Sequence, residues 1–289
     1  MSNPSLTARL TVKVALALVL LKIGAFAATG SSGILGSMLD SMLDTVASLL
    51  VLWAVITAAQ PADADHPWGH GKAEALASLF QSILILISGL GLGAHAINRF
   101  ISPDTKLEME GFGIATMALS SIITLWLVKK IRTSARESGS PALEADSAHY
   151  ASDLWANFGV ISGLGISQLQ KATWPDIAVG LGIALIILNT AKKVFKESIG
   201  MLMDEGLKPG EEGKILAVVM NFSPQVLGFH NLRTRKSGSH TFLELHLDLD
   251  SKLSFTESHD LSEKVGKAIE KTVPHCEVTV HADPLEGNI

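Results

Sequence analysis

An integral membrane α-helical bundle of six transmembrane helices, followed by a small α+β domain, is the fold class this sequence predicts. Three observations predict it. The 289 residues are 47% hydrophobic and 18% charged, with a mean hydropathy of +0.34, against roughly 25% charge in an ordinary soluble domain. The charge is unevenly spread: residues 1–208 hold 31 of the charged side chains and residues 209–289 hold 20. Six stretches of the first part approach the ~20 apolar residues that a bilayer-spanning helix needs. Residues 1–208 therefore read as a transmembrane domain and 209–289 as a separate soluble domain.

The six apolar stretches run at about 10–29, 34–59, 76–97, 111–128, 145–167 and 176–194. The first is too long for a cleavable signal peptide and lacks a small-residue cleavage site. Turn chemistry separates them: Gly30-Ser31-Ser32-Gly33, Pro61 with Pro67-Trp68-Gly69, Ser102-Pro103-Asp104, Ser138-Gly139-Ser140-Pro141 and Trp174-Pro175. Arg9, Lys13, Lys72, Lys129, Lys130, Arg132, Arg136, Lys192, Lys193 and Lys196 flank one side, against Arg99, Lys106 and Lys171 on the other. The positive-inside rule then puts both termini and the tail in the cytoplasm.

In the tail, Glu211–Asn221 reads as a helix and Val226–Lys236 as a strand. Ser237-Gly238-Ser239 makes a turn. From His240 to Leu249 the alternation is nearly strict, with His240, Phe242, Glu244, His246 and Asp248 on one face and Leu243, Leu245, Leu247 and Leu249 on the other. Ser254–Lys271 is a helix opened by a Ser254-Phe255-Thr256-Glu257 capping box. His275–His281 closes as a strand. One apolar sheet face implies that the helices pack on that face.

A single cysteine, Cys276, excludes a disulfide scaffold, and strand parity places it toward the core. A net charge of −5 gives no sign of a nucleic-acid partner. No nucleophile–base constellation marks an enzyme.

The chemistry lies in the apolar helices. Asp40 and Asp44 are four apart in the second stretch, and His149 and Asp153 are four apart in the fifth, so each pair shares a helical face. An Asp near the bilayer centre costs ~2.5–3.5 kcal/mol on insertion scales. A bound cation offsets that cost, and three carboxylates with one imidazole are the four donors a tetrahedral Zn²⁺ takes. Lys22 in the first stretch snorkels or lines a cavity. His95 reads as a satisfied interface residue.

The loop between the second and third stretches holds Asp63, Asp65, His66 and His70, enough for a small O/N metal site or an ordinary solvated loop. Six of the ten histidines lie in the tail. His230, His246, His281 and Asp283 fall on polar strand faces, and His259 on the second tail helix. Such a face could bind metal, stay solvated or pack against another copy. His240 and His275 read as surface residues.

Together these residues resemble the cation diffusion facilitator family over nearly the whole chain. Asp-x-x-x-Asp on the second helix and His-x-x-x-Asp on the fifth correspond to that family's transport site, here Asp40, Asp44, His149 and Asp153. The resemblance implies a loop metal site of Asp63, His66 and His70, from the Pro-Ala-Asp and Gly-His-Gly-Lys-Ala-Glu stretches. It implies a binuclear site of His230, His246, His281 and Asp283 with His259 added, in a ferredoxin-like, metallochaperone-like cytoplasmic domain. It also implies a homodimer with a Lys72–Asp204 charge interlock. His240 departs from the family pattern, and Ala64 occupies a variable loop position. The expected function is export of a divalent cation, Zn²⁺ first, across the inner (plasma) membrane in exchange for protons. Export of Fe²⁺, Cd²⁺ or Mn²⁺, or a non-transporting membrane-anchored metal sensor, are the alternatives.

Overall fold

The computed structural model describes residues 3–29, 32–101, 111–170 and 174–285. Two compact units divide the chain, Met1–Ile199 and Gly200–Ile289. The turn positions Gly30-Ser31 and Ser102-Pro103-Asp104, together with Lys106 and Lys171, lie outside the described residues.

Six long helices make the first unit: α1 (Pro4–Thr29), α2 (Ser32–Ala58), α3 (Lys72–Ile101), α4 (Gly111–Ser138), α5 (Pro141–Gln170) and α6 (Trp174–Leu202). Each is longer than the apolar stretch that marks it in the sequence, although α2 stops one residue short of its stretch at the C-terminal end. At 1.5 Å per residue, α4 extends about 42 Å, against a hydrocarbon core of about 30 Å. Its last turns carry Lys129, Lys130, Arg132 and Arg136. Among the described residues, α1, α2, α3 and α6 contain spans long and apolar enough to cross a membrane. The helix α5 is more polar, holding Glu144, Asp146, His149 and Asp153.

The interior is built on small residues. Ala8, Ala54, Ala73, Ala77 and Ala142 are buried with Leu127, Ile131, Leu143 and Tyr150, which lets backbones approach closely where lipid offers no hydrophobic drive. Ile85, Ala145, Ile183 and Ile187 form a second cluster joining α3, α5 and α6. Leu20, Leu43, Ile87, Ile122 and Leu185 are exposed instead, the lipid-facing side of the same helices. Buried hydroxyls bond back to their own helix, as Thr45 does to the Ser41 carbonyl (2.8 Å) and Ser152 to that of Ala148 (2.8 Å). Others cross between helices: Ser48 and Tyr150 meet at 2.8 Å, and Thr7 donates to Ser134 at 2.9 Å.

The second unit contains α7 (Pro209–Met220), β1 (Val226–Ser237), β2 (His240–Asp250), α8 (Phe255–Thr272) and β3 (Cys276–Leu285). The strand order is β1-β2-β3, with β2 antiparallel to β1 and parallel to β3. A tight turn at Gly238 (φ 62°) permits the hairpin, whereas the α8 crossover returns β3 parallel to β2. Leu243, Leu245, Leu247 and Leu249 are buried against Ile215 and Val219 of α7 and Leu261, Val265 and Ile269 of α8. Helix α8 opens on its reciprocal capping box: the Ser254 hydroxyl accepts from the Glu257 N–H (3.3 Å), and Glu257 accepts from the Ser254 N–H (2.8 Å). Cys276 faces the core side but only reaches its rim. Strand β3 is an edge strand, so its inward side chains are covered on one flank only.

Candidate metal centres

The first centre lies between α2 and α5. Regular helix places Asp44 one turn after Asp40, and Asp153 one turn after His149, and α5 packs directly on α2. His149 Nε2 sits 3.1 Å from an oxygen of Asp44 and 3.9 Å from one of Asp153. One donor atom from each of the three lies within 4.8 Å of the others. His149 is buried and both aspartates are partly so. Asp40 lies outside this three-donor cluster, with its side chain exposed one turn along α2. Beside it, Lys22 crosses from α1 and donates to the Ser37 carbonyl (3.0 Å) and the Ser41 hydroxyl (2.6 Å).

The second centre is the loop before α3. The Asp63 carboxylate accepts from the N–H groups of Asp65 (3.0 Å) and His66 (2.6 Å), which folds the loop back on itself. His66 Nδ1 and His70 Nε2 each stand 3.3 Å from Asp63, on different oxygens, and their rings lie 4.4 Å apart. Gly69, at φ 77°, makes the turn that brings His70 round. The His66 backbone N–H holds the Asp63 carboxyl below the usual carboxylate range, keeping it a charged donor. Asp65 is outside this cluster.

The third centre is written into the strand register. His230 pairs with His246 across β1–β2, and His246 pairs with His281 across β2–β3, so three imidazoles form a row across the sheet. The next row sets Asp248 opposite Asp283. Asp283 is the hub, 2.8 Å from His246, 3.2 Å from His230 and 2.9 Å from His281. Its hydrogen bond with His246, then the charges of His281, His246 and His230, keep its carboxyl below the ordinary range. A bulge after His230, with Asn231 at φ 51°, re-aims β1 at this point.

Sequence reasoning left Asp248 out of the candidate donors, yet it lies 2.9 Å from His230 Nδ1. The signal was available: Asp248 shares strand parity with His246. Gly228 makes room for it, since a Cβ there would stand 2.6 Å from an Asp248 oxygen. His259 is not in the cluster. It lies on α8, which packs on the leucine face of the sheet, and it lines a cavity of about 300 Å³ with Phe255, Val280 and Pro284. Asp204, at φ 57°, is 3.5 Å from Arg235 within its own unit, while Lys72 opens α3 in the other. His95 is exposed, so no interface among the described residues covers that ring. His240 and His275 are both exposed and meet edge to face at 5.8 Å.

Comparison with known proteins covers both units. Residues 8–203 match the family described as the cation efflux transmembrane domain, and residues 207–285 the cation efflux protein cytoplasmic domain. The cation-efflux pump FieF of Salmonella arizonae is 38% identical over 273 residues, 94% of this chain and 89% of that one. An uncharacterized transporter of Synechocystis sp. is 33% identical over 277 residues, 96% of this chain and 89% of its own. Among solved structures, the metal-bound C-terminal domain of the CzcD transporter from Thermotoga maritima is 31% identical, spans 29% of this chain and 100% of its own length, and superposes with a TM-score of 0.26.

Proposed function

The chain belongs to the cation diffusion facilitator family of cation efflux transporters, and from that premise we propose that it exports Zn²⁺ from the cytoplasm in exchange for protons. It is a multi-pass membrane protein with a cytoplasmic C-terminal domain. The observation that carries the proposal is the three-donor cluster of Asp44, His149 and Asp153 inside an apolar bundle. An imidazole among carboxylates favours Zn²⁺ over harder ions such as Mn²⁺, which prefer all-oxygen sites.

With the site open to the cytoplasm, the carboxylates are ionised and the imidazole is neutral, and Asp40 swings in from the next turn as the fourth donor. Metal donors must be deprotonated, so cation binding and proton release are two sides of one equilibrium. Rocking of the helices exposes the loaded site to the other side, where protons displace the cation. Inward proton flow thus drives metal outward. The donor charge of −3 is never carried bare across the hydrocarbon, because either the cation or protons neutralise it.

The loop donors Asp63, His66 and His70 and the tail donors His230, His246, His281, Asp283 and Asp248 fit resident Zn²⁺ sites with N/O ligands. Bound there, the cation neutralises clustered carboxylates and crosslinks strands. The matched cytoplasmic-domain family implies a homodimer. In it the tail sites regulate, with His259 as an added ligand, and Lys72 and Asp204 form a charge interlock at the dimer interface. The membrane is the inner (plasma) membrane, with both termini cytoplasmic.

Reconstitution in proteoliposomes tests the function. Zn²⁺ added to inside-out vesicles, which turn the cytoplasmic face outward and hold an acidic lumen, should give saturable Zn²⁺ uptake and proton movement out of the lumen, both abolished in Asp44→Ala. Wild-type flux from that variant would refute the site. Flux without saturation or proton movement would point to a channel, and Zn²⁺ binding with no flux at all to a sensor.

A further inference from the structure

The transport site of the proposed function uses one nitrogen of His149, and the structure leaves the other with nothing to do. Nε2 points at Asp44 and Asp153. If Nε2 is the donor to the cation, the ring proton sits on Nδ1. Among the described residues that buried atom has no hydrogen-bond partner, and a buried N–H with no acceptor costs the full desolvation of the group.

One turn earlier on α5 stands Asp146, 0% exposed, a residue that the sequence motifs do not single out. One of its oxygens, Oδ1, accepts from Nε2 of Gln81 on α3 at 2.9 Å, and Gln81 is equally buried. The other oxygen, Oδ2, is buried with no partner among the described residues, and so is Oε1 of Gln81. Residues three apart on a helix are neighbours, and helical side chains lean toward the N-terminus, so the His149 ring lies over the turn that carries Asp146. An orphaned donor and an orphaned acceptor thus occupy adjacent positions on one helical face. An Asp retained there at full burial, close to two further acids, is unexplained by the single bond to Gln81, which an apolar pair would replace at little cost.

We propose that Asp146 is a positioning residue for the transport site: its free Oδ2 takes the Nδ1–H of His149 when the cation is bound. The bond fixes the tautomer and ring plane that present Nε2 to the metal, and the anionic partner raises the basicity of that nitrogen. Gln81 anchors the far side of the carboxylate, so α3 enters the support of a site whose donors all come from α2 and α5. The inference rests on the transport-site reading and deepens it.

The experiment is ¹¹³Cd and ¹⁵N NMR on the full-length protein in lipid nanodiscs, ¹⁵N-labelled at histidine, with His70→Ala and His246→Ala weakening the other two centres. Cadmium coupled to Nε2 of His149, with Nδ1 protonated and its proton correlated to the Asp146 carboxylate carbon, is the expected result. Asp146→Asn should shift that proton and weaken Cd²⁺ binding about 10- to 100-fold, the usual effect of losing such a partner. Asp146→Ala should weaken it further. No cadmium coupling to His149 at all would refute the transport-site reading itself. Coupling through Nδ1, no correlation to the Asp146 carbon in the wild-type protein, or unchanged affinity in Asp146→Asn would overturn the role of Asp146 while leaving the site standing. The wild-type spectrum decides even if neither variant folds.

Discussion

Burial pushes the Cys276 thiol up to about 11, with the charges of Glu270 and Glu277 adding to the shift. Since the thiolate is the reactive form, alkylation at pH 8 should run roughly a hundredfold slower than for an exposed cysteine, and a labelling time course checks it. Asp283 moves the other way. A carboxyl held low in the folded state stabilises above its unfolded value of about 3.9 and loses that contribution as pH falls through the folded value. Asp283→Asn should therefore lower the melting temperature of the metal-free tail at pH 6, and the difference should shrink as pH falls through the folded-state value. A difference that persists in acid would show that something other than the ionised carboxylate is responsible. At Gly228, an alanine Cβ would displace the Asp248 carboxylate, so Gly228→Ala should weaken Zn²⁺ binding to the tail, read by calorimetry, without touching the transport site.

The elements differ in how each was legible. The alternation in β2 is complete because one face meets two helices and the other meets water, so burial follows parity residue by residue. That makes the leucine face the energetic centre of the tail. Leu245→Ala, at a fully buried position, should cost about 2–5 kcal/mol, measured as faster hydrogen exchange of the slowest β2 amides in the full chain. The helix α5 gave a mixed signal instead. It packs on α2, α3 and α4, so its polar residues face protein rather than lipid, and the apolarity that marks a span is diluted. Asp146 was invisible for this reason: no spacing motif includes it, and only its burial against Gln81 of another helix shows that it matters.

At the scale of the molecule, a cation path through the membrane is combined with a histidine-rich tail. Removing His246 and His281 together should weaken the metal dependence of dimer contacts, followed by crosslinking with and without Zn²⁺, while transport-site binding persists. An unchanged metal response would end the regulatory reading of the tail. Composition and periodicity by themselves determined the six helices, the α+β tail, its apolar sheet face and the donor pairs Asp40/Asp44 and His149/Asp153. Those features are local: they depend on hydropathy and on repeats of two or 3.6 residues along one chain segment. Tertiary structure alone decided which donors meet. It gathered Asp44 with His149 and Asp153 and set Asp40 one turn aside. It brought Asp248 to His230 through the β1–β2 register and put His259 on a helix at the other face of the sheet. It also buried Asp146 against Gln81, one turn from His149 on α5. Contacts between elements far apart in sequence depend on register and helix packing, which no window of neighbouring residues contains.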